Sequence, residues 1–551
     1  MKNLKAILLV AIFLSFSHFQ TLAQIDTQKN TDFIKSSLHK HFPADEPGVT
    51  LIVAQGDKIL FKGAAGMANL ELGIPMDANH ILRIGSITKQ FTAVSILMLQ
   101  EQGKLDVQDP ITKYLPDYPT HDKKITIEHL LTHTSGIQSY TSIPGFMENV
   151  RNDMTTTELI DIFKDKKMNF DPGEDYRYNN SGYFLLGVII EKVSGMTYED
   201  FVEKNIFQKL GMNDSHYDQP SDIIPRRITG YHEENGKFVN APYLSMTIPY
   251  AAGSLISTVE DLWIWNKALH SHKLITKKSL EKAHTAYTLK NGESIDYGYG
   301  WGVDEYYNQK VIEHSGGIHG FTTNALYLPK EKLFVAAFSN GNDPTFLTRL
   351  IGATLIGGYP NVKKMSLSKK ELADYAGVYE VENSSHKRTI RVKDDHLTSI
   401  RTGGELYNIY AFEKDKFYFE NSMTIFEFKR DANGKVLGIL AHLANGNKGK
   451  AVKTDEVIKE QKEVQLSDEI LKKYVGKYEI QPGFNLEFTL KDNSLWAQPT
   501  GESKLQVFAK NETQFYLKAI DAKIEFVKIE NEIGEVRVNI GGEKHVGKKI
   551  K

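Results

Sequence analysis

The pattern of apolar and polar positions predicts a helix followed by a β-hairpin near the start of the chain. Ile34, Leu38 and Phe42 recur every four residues, which is the spacing of an amphipathic helix. Residues 48–65 form two apolar runs around a Gln-Gly-Asp turn, a pattern typical of a hairpin. Residues 93–100 lack glycine and proline and are apolar on most faces, so they predict a buried helix.

The middle of the chain is predicted to be mostly helical and is followed by strands. Helical patterns cover residues 126–131, 154–165, 183–193, 197–210 and 258–269, with Thr258 as the N-cap of the last. Strand patterns then occur at 297–303, 310–314, 325–327 and 334–339, before a helix at 345–356. Because strands flank a helical middle, we expect one sheet assembled from both ends of an α/β (α+β) domain.

The last third of the chain contains an internal repeat. Leu367-Ser368 and Leu466-Ser467 are 99 residues apart, and so are the YAGVYE and YVGKYE segments that begin at Tyr375 and Tyr474. Apolar alternation and aromatic residues dominate both copies, whereas helical patterns are scarce. We therefore expect two repeated small antiparallel β modules, at residues 363–455 and 462–551, with a charged linker within 453–464.

Composition excludes several classes of protein. Of the 551 residues, 41% are hydrophobic and 25% are charged, which is ordinary for a globular chain. The net charge is −2 and no dense basic block occurs, so a nucleic-acid partner is not expected. The absence of cysteine excludes disulfides, thiolate metal sites, a cysteine nucleophile and a lipoprotein anchor.

The first 23 residues have the pattern of a secretory signal peptide. Lys2 and Lys5 precede an apolar run at residues 6–16, and a Thr-Leu-Ala sequence ends at Ala23. The alternative, a single membrane anchor, would need a longer apolar core. No later stretch is long and apolar enough to span a bilayer. We therefore expect cleavage after Ala23 and a secreted or periplasmic protein.

The predicted buried helix begins with a candidate nucleophile. Ser86 and Lys89 lie three positions apart, so they share one face of a helix and the amine can approach the hydroxyl. A serine must lose its proton before it attacks a carbonyl, and a lysine can remove that proton only if burial keeps part of it neutral. Free N–H groups in the first helical turn favour developing negative charge at Ser86.

Two further stretches supply the other parts that acyl transfer needs. Tyr178 and Asn180 place a phenol and an amide just before a predicted helix. The sequence His314-Ser315-Gly316-Gly317 is expected to end a strand, where glycines let the backbone approach a ligand. Together they offer a nucleophile, a proton shuttle and backbone N–H donors.

In this order, Ser-x-x-Lys, Tyr-x-Asn and His-x-Gly resemble the motifs of the serine β-lactamase and penicillin-binding-protein superfamily. The chain most resembles the class C and peptidase S12 branch, which includes D,D-carboxypeptidases, D-aminopeptidases and esterases. Further matching stretches are LLTHTSGI at 130–137, YNNSGY at 178–183 and GGIHGF at 316–321. The resemblance covers roughly residues 30–360 and implies an antiparallel sheet plus a helical subdomain within a domain at 24–362. The C-terminal repeats resemble, more loosely, the lipocalin-like modules appended to such enzymes.

The resemblance implies a role for each matching residue. Ser86 would be acylated, Lys89 would hold its hydroxyl and share in proton transfer, and Asn180 would bind Lys89 and the substrate. Tyr178 would act as base and acid in the two half-reactions, with its proton affinity lowered by Lys89. The N–H groups of Ser86 and Gly317 would form the oxyanion hole. No cofactor and no metal is implied, and neither H-E-x-x-H nor G-x-S-x-G occurs.

One position departs from the β-lactamase pattern. The third motif begins with His314, where β-lactamases carry a lysine that attracts a substrate carboxylate. A histidine near pH 7 is mostly neutral, so this anchor is weakened. We therefore expect hydrolysis of an amide or ester in a small molecule or peptide, cell-wall fragments included. The alternatives are a β-lactamase, or a penicillin- or peptidoglycan-binding protein of low turnover.

Other residues receive plainer interpretations. Ser135 is expected to cap or turn the end of its helix, and Trp263 and Trp265 to pack in the core. Whether His319 faces substrate or is structural stays open. Specificity is expected in the loops around Met147, residues 220–249 and His319. The C-terminal modules could bind ligand, mediate oligomerisation or cover the cleft.

Overall fold

The computed structural model describes residues 27–550 apart from positions 149, 235, 307, 361, 421, 445, 446, 459–462, 482, 483, 501, 503 and 531. The predicted signal peptide, residues 1–23, lies outside the described residues. None of the helices in the described part is long and apolar enough to cross a membrane.

The part of the chain before residue 360 is built on one six-stranded antiparallel sheet. Its strands are β1 (Val49–Gln55), β2 (Lys58–Ala65), β3 (Gly302–Tyr306), β4 (Gln309–Ile318), β5 (Phe321–Leu328) and β6 (Leu333–Ser339). Their order across the sheet is β3-β4-β5-β6-β1-β2, and each neighbouring pair is antiparallel. The predicted assembly of one sheet from both ends of the domain is confirmed.

Helices lie on both faces of this sheet. The described helices are α1 (Thr27–His41), α2 (Thr88–Glu101), α3 (Ile127–Leu131), α4 (Thr156–Phe163), α5 (Asn180–Ser194), α6 (Tyr198–Val202), α7 (Gln208–Leu210), α8 (Val259–His270), α9 (Lys277–Ala283) and α10 (Thr345–Leu355). Leu51 and Val53 of β1 pack in one core with α1 and α10, whereas Ile52 packs in a second core with α2, α5 and α8. A central strand that is apolar on both faces needs such cover on both.

Short strands complete this domain. Leu82–Arg83 pairs with Leu255–Ser257, which also pairs with His216–Tyr217. Two hairpins join Met67–Asn69 to Ile74–Pro75 and Tyr231–Glu234 to Lys237–Asn240. The three-stranded group brings the segment before Ser86 beside the chain near residue 218.

Several observed elements differ from the predicted ones, and a π-helical turn at Glu203–Phe207 divides the helix predicted at 197–210. Strand β3 begins at Gly302 rather than at residue 297, and α9 was not predicted because its lysine-rich sequence shows no apolar periodicity. Strand β4 continues to Ile318, so the His-Ser-Gly-Gly motif lies inside the strand and does not end it. Gly316 lets this strand pack closely against the segment before Ser86, since a Cβ there would lie 2.1 Å from the carbonyl oxygen of Ile84.

The rest of the chain forms two closed eight-stranded antiparallel barrels, each preceded by a short helix, α11 (Lys369–Ala373) or α12 (Asp468–Leu471). The first contains β7 (Gly377–Val381), β8 (Lys387–Lys393), β9 (His396–Arg401), β10 (Leu406–Glu413), β11 (Lys416–Phe419), β12 (Ile425–Arg430), β13 (Val436–His442) and β14 (Lys448–Lys453). The second contains β15 (Gly476–Gln481), β16 (Phe484–Lys491), β17 (Ser494–Pro499), β18 (Leu505–Ala509), β19 (Gln514–Leu517), β20 (Ala522–Ile529), β21 (Glu532–Ile540) and β22 (Glu543–Ile550).

The repeat in the sequence corresponds to a repeated contact in the barrels. The Tyr379 hydroxyl donates to the carbonyl oxygen of Tyr375 at 2.6 Å, and Tyr478 donates to that of Tyr474 at 2.9 Å. The predicted pair of repeated antiparallel β modules is confirmed. Their closure into barrels leaves no open sheet edge, which the repeat alone did not predict.

The barrels contact each other and the first domain away from Ser86. The Leu406 N–H donates to the carbonyl oxygen of Ala519 at 2.8 Å across the two barrels. Met423 of the first barrel is buried in a cluster with Ala353 and Tyr359. The cavities beside Ser86, by contrast, are lined by residues that lie between positions 83 and 349.

Candidate active site

Ser86 lies in a tight turn that is pressed against strand β4. A single 3₁₀ turn, Gly85–Ile87, runs directly into α2, so the serine occupies the start of the helical stretch. Gly85 has a φ of +50°, and a Cβ on it would lie 3.1 Å from the backbone nitrogen of Gly317. A glycine is therefore required here, and its close packing brings the backbone of Gly317 beside the residue that precedes Ser86.

Lys89 is fully buried and is held by uncharged groups. Its Nζ lies 3.1 Å from Ser86 Oγ and donates to Asn180 Oδ1 at 2.9 Å and to the carbonyl oxygen of Ala252 at 2.8 Å. No ion pair to this lysine occurs among the described residues, and burial holds its pKa well below the ordinary value. An amide oxygen and a carbonyl can only accept, so a neutral amine uses two N–H groups on them and turns its lone pair to the Ser86 hydroxyl.

Tyr178 covers the lysine from the cleft side. Its ring centroid lies 4.9 Å from Lys89 Nζ, and its hydroxyl is within hydrogen-bonding reach of Ser86. Although 37% of Tyr178 is exposed, desolvation of its hydroxyl raises its pKa, and the hydrogen bond to Ser86 opposes this only in part. The resemblance implied the opposite, a proton affinity lowered by Lys89. The lowered proton affinity stays a prediction for the state in which Lys89 has taken up the proton of Ser86.

Asn180 begins α5 and links it to α2. Its Oδ1 accepts from Lys89, and its Nδ2 donates to Thr141 Oγ1 at 3.3 Å. The preceding Asn179 is the N-cap of α5, and its Oδ1 accepts from the Gly182 N–H at 3.1 Å. The two adjacent asparagines thus divide their tasks, one fixing the helix end and the other fixing the lysine.

His314 is buried and neutral. Its Nδ1 lies 2.6 Å from the carbonyl oxygen of Ser315, and its Nε2 lies 2.8 Å from the Tyr297 hydroxyl. A carbonyl only accepts, so Nδ1 carries the proton and Nε2 accepts from Tyr297. Burial lowers the pKa of His314 to about 3. The histidine therefore offers no charge to a substrate carboxylate.

The other residues of the third motif alternate along β4. Ser315 and Gly317 are exposed on one side of the strand, whereas His314 and Gly316 are buried on the other. Space is open around Gly317, where an added Cβ would meet nothing within 4 Å. The backbone of β4 at Ser315 and Gly317 is therefore accessible near Ser86.

His133 is a residue of the site that the sequence motifs did not single out. Its Nδ1 accepts from the Asn179 N–H and its carbonyl oxygen accepts from the Arg177 N–H, both at 3.1 Å, so it holds Tyr178 from both sides. The two ring centroids are 4.3 Å apart. His133 lies in the LLTHTSGI stretch, yet only Ser135 was weighed there. Ser135 is buried and its Oγ accepts from the Ile137 N–H at 3.3 Å, which is a turn contact.

Two cavities lie at this site, and Ser86 lines one of them. One of about 150 Å³ is lined by Ser86 with mostly apolar neighbours, and Met147 and His319 lie at its wall. The other, of about 170 Å³, is lined by Tyr178, His314 and Ser315. The two charged residues that line this cavity together carry no net charge, because Arg349 donates to Glu313 at 2.5 Å. Of the described residues, no group of three or more His, Asp or Glu side chains is arranged to hold a metal.

The antiparallel sheet, its helical insertion and the linked serine, lysine and tyrosine define a β-lactamase-like fold. The chain belongs to the Beta-lactamase family, the model of which matches residues 37–355. A second model, a domain of unknown function (DUF3471), matches residues 460–548. The family resemblance and the fold class expected from the sequence are confirmed.

Similar proteins come from several branches of this family. Penicillin-binding protein 4* of Bacillus subtilis (strain 168) is 27% identical over 497 residues, which cover 87% of this chain and 89% of that protein. The octameric penicillin-binding protein homologue from Pyrococcus abyssi is 26% identical, covers 86% of this chain and 98% of its own, and has a TM-score of 0.55. A D-stereospecific amidohydrolase from Streptomyces sp. is 29% identical, covers 56% and 94%, and has a TM-score of 0.50. The chain is thus a member of a family that includes penicillin-binding proteins and amidohydrolases.

Proposed function

We propose that this protein is an exported serine hydrolase that forms an acyl-enzyme on Ser86 and cleaves an amide or ester. The observation that supports this most directly is the buried amine of Lys89, which lies 3.1 Å from Ser86 Oγ and has no ion-pair partner among the described residues. An amine kept neutral at this distance is a general base for the serine. No cofactor enters the proposed reaction.

Acylation follows from these contacts. Lys89 takes the proton of Ser86 Oγ as the oxygen attacks the substrate carbonyl, and the N–H groups of Ser86 and Gly317 stabilise the oxyanion. Tyr178 then gives its proton to the leaving nitrogen or oxygen. Lys89, now an ammonium, stabilises the phenolate and returns the proton to it. In deacylation a water molecule replaces the leaving group, and the same groups act in reverse.

The leaving-group side does not favour a carboxylate. Tyr178 lines the cavity that also contains His314 and Ser315, so the departing group lies there. His314 is neutral and Arg349 is paired with Glu313. We therefore favour esters and amides with uncharged leaving groups over β-lactams and over peptides with a free terminal carboxylate.

A serine-directed reagent and a substrate panel test this function. We expect a fluorophosphonate to give one adduct, on Ser86, by mass spectrometry of the digested protein. The panel pairs a chromogenic cephalosporin and a D-Ala-D-Ala peptide with a D-amino-acid amide and a short-chain nitrophenyl ester. We expect turnover of the last two, abolished in Ser86→Ala. An adduct on another residue, or hydrolysis that survives this substitution, would contradict the proposal.

Export, domain boundaries and assembly belong to the same proposal. We expect mature protein to begin at Gln24, with units at 24–362, 363–455 and 462–551. The match of DUF3471 to residues 460–548 supports the last unit. The Pyrococcus abyssi homologue is octameric, which supports oligomerisation here, and we expect the C-terminal barrels to mediate it. N-terminal sequencing of exported protein and native mass spectrometry of the full mature chain test these points.

A further inference from the structure

A third cavity, of about 310 Å³, lies on the far side of His319 from Ser86. His319 lines both this cavity and the apolar chamber beside the serine. Arg83, Asp218 and Arg227 line its polar part, and Phe321 lies in its wall. No role has been given above to these charged residues, although Arg83 lies only three positions before the serine.

The charged groups of this cavity do not cancel. Asp218 has only 1% of its side chain exposed and accepts from two guanidinium groups, from Arg83 Nε at 2.7 Å and from Arg227 Nη1 at 2.9 Å. Two cations on one carboxylate leave one net positive charge. Burial lowers the pKa of His319, and the charge of Arg83 lowers it further, so the histidine adds no charge at neutral pH.

The two arginines also differ in the donors that they leave free. Arg227 donates to Asp218 and to the carbonyl oxygens of Gln219 and Asp222, at 3.0 and 2.8 Å. For the Arg83 side chain, the Nε contact to Asp218 is the one hydrogen bond found within the described part of the chain. Its two terminal nitrogens therefore keep their N–H groups available on a side chain that Asp218 holds in place. A guanidinium held in this way can bind a carboxylate through two parallel hydrogen bonds.

The position of the cavity relative to Tyr178 decides which half of a substrate reaches it. In the proposed function Tyr178 protonates the leaving group, so that group lies on the Tyr178 side of Ser86. The chamber beside Ser86 that leads to His319 does not include Tyr178. The acyl half of the substrate therefore extends through this chamber toward Arg83.

We propose that this third cavity, which Arg83 lines, binds a carboxylate carried by the acyl half of the substrate. This inference rests on the proposed acyl-enzyme function and names its substrate class: esters or amides of acids that bear a second, distal carboxylate. The substrate's hydrocarbon segment between the scissile carbonyl and the distal carboxylate lies in the apolar chamber, and the N–H groups of Arg83 bind the distal carboxylate.

Paired substrates test the proposal in the full mature protein. Nitrophenyl esters and nitroanilides of adipic, suberic and sebacic acids are each compared with the same compound methylated at the distal carboxylate. We expect wild type to prefer the free acid in kcat/KM at the best chain length. In Arg83→Gln that preference should fall by about 10- to 100-fold, the range for hydrogen bonds to a charged group. Arg83→Lys should restore part of it, and added salt should weaken it.

A neighbouring arginine provides the control. Arg226 pairs with Asp214 and the carbonyl oxygen of Asn79 and does not line the cavity, so Arg226→Gln should keep the wild-type preference. Thermal unfolding of each variant checks the fold. A wild type without preference for any free acid, or a preference unchanged in a folded Arg83→Gln, overturns this inference and leaves the proposed function standing. Hydrolysis of no compound in the set, together with no fluorophosphonate adduct on Ser86, instead removes the proposed function.

Discussion

Lys89 and Arg83 are basic side chains on either side of Ser86, and their surroundings are opposite. Lys89 is fully buried among an amide, a carbonyl and a hydroxyl, and no carboxylate of the described residues contacts it. Arg83 is held by the buried carboxylate of Asp218, and Arg227 shares that carboxylate. One site suppresses a positive charge and the other keeps a net one.

The difference shows how neighbouring groups decide the use of a basic residue. Lysine loses its proton readily when it is desolvated, so the uncharged pocket around Lys89 makes it a base. A guanidinium keeps its charge at any ordinary pH, so a buried partner fixes its position without changing its charge. The predictions below test this contrast, from the largest expected effect to the smallest.

Replacing the nucleophile should abolish the chemistry and leave binding at Arg83 intact. We expect Ser86→Ala to lower kcat for a nitrophenyl ester by about 10⁴-fold or more. The same variant should still bind a dicarboxylic acid, as measured by calorimetry. Ser95, which is buried in α2 and donates to the carbonyl oxygen of Phe91, supplies a control variant, Ser95→Ala, that should keep activity. Activity in Ser86→Ala would remove the whole scheme.

Substitutions of Lys89 test whether this residue acts as a proton acceptor or as a positive charge. Lys89→Met removes the base and Lys89→Arg replaces it with a permanent cation, so both should lower kcat/KM by about 10²- to 10⁴-fold. The measurement is steady-state hydrolysis of an uncharged ester, with thermal unfolding as the check on folding. If Lys89→Arg kept most of the activity, a positive charge rather than a proton acceptor would be the function of this residue.

The pH dependence of kcat/KM should show that the neutral form of Lys89 is the active one. Because burial lowers the pKa of Lys89, kcat/KM for an uncharged ester should rise about tenfold per pH unit below that pKa and then level off. The raised pKa of Tyr178 places any fall at alkaline pH, and the pKa of His314, about 3, gives no step between pH 5 and 9. Activity that fell as pH rose through neutrality would mean that the protonated lysine is the active form.

The parts of the site that the sequence predicted are those set by local spacing or by ordered motifs. Ser86 and Lys89 are three residues apart, so helix geometry alone brings them together. Asn180 was predicted to reach Lys89 only through its motif. The two antiparallel β modules were predicted from the 99-residue repeat. Their closure into barrels depends on pairing of the first and last strands, such as Tyr379 with Lys453, which no local pattern contains.

The parts that were not predicted depend on distant contacts of common groups. The carbonyl oxygen of Ala252 accepts from Lys89 across 163 positions, and any residue type could supply it. His133 accepts from the N–H of Asn179, which lies 46 positions further along the chain. Its left-handed φ of +59° could not be predicted from the residues around it. Asp218 joins Arg83 across 135 positions, so the charged cavity emerged only from the fold.

Substitution of His133 should affect the position of Tyr178 rather than substrate binding. Asparagine and glycine both tolerate the φ of +59° at this position, but only asparagine keeps an acceptor for the Asn179 N–H. We expect His133→Gly to lower kcat by about tenfold and to destabilise the fold by about 1–3 kcal/mol, since a buried donor is left unpaired. His133→Asn should restore much of both. Equal losses in the two variants would show that the acceptor is not what matters.

The smallest predicted effect comes from giving the Tyr178 side the charge that it lacks. His314→Lys should place a cation where the neutral histidine now accepts from Tyr297. At contact distance in a water-like medium such a charge contributes about 1 kcal/mol, so kcat/KM for an anionic leaving group should rise about fivefold relative to a neutral one. Acetate esters of 3-hydroxybenzoate and 3-hydroxybenzamide form the matched pair, and His314→Gln is the uncharged control. A shift of equal size in His314→Gln would mean that loss of the Tyr297 contact, and not the charge, sets leaving-group preference.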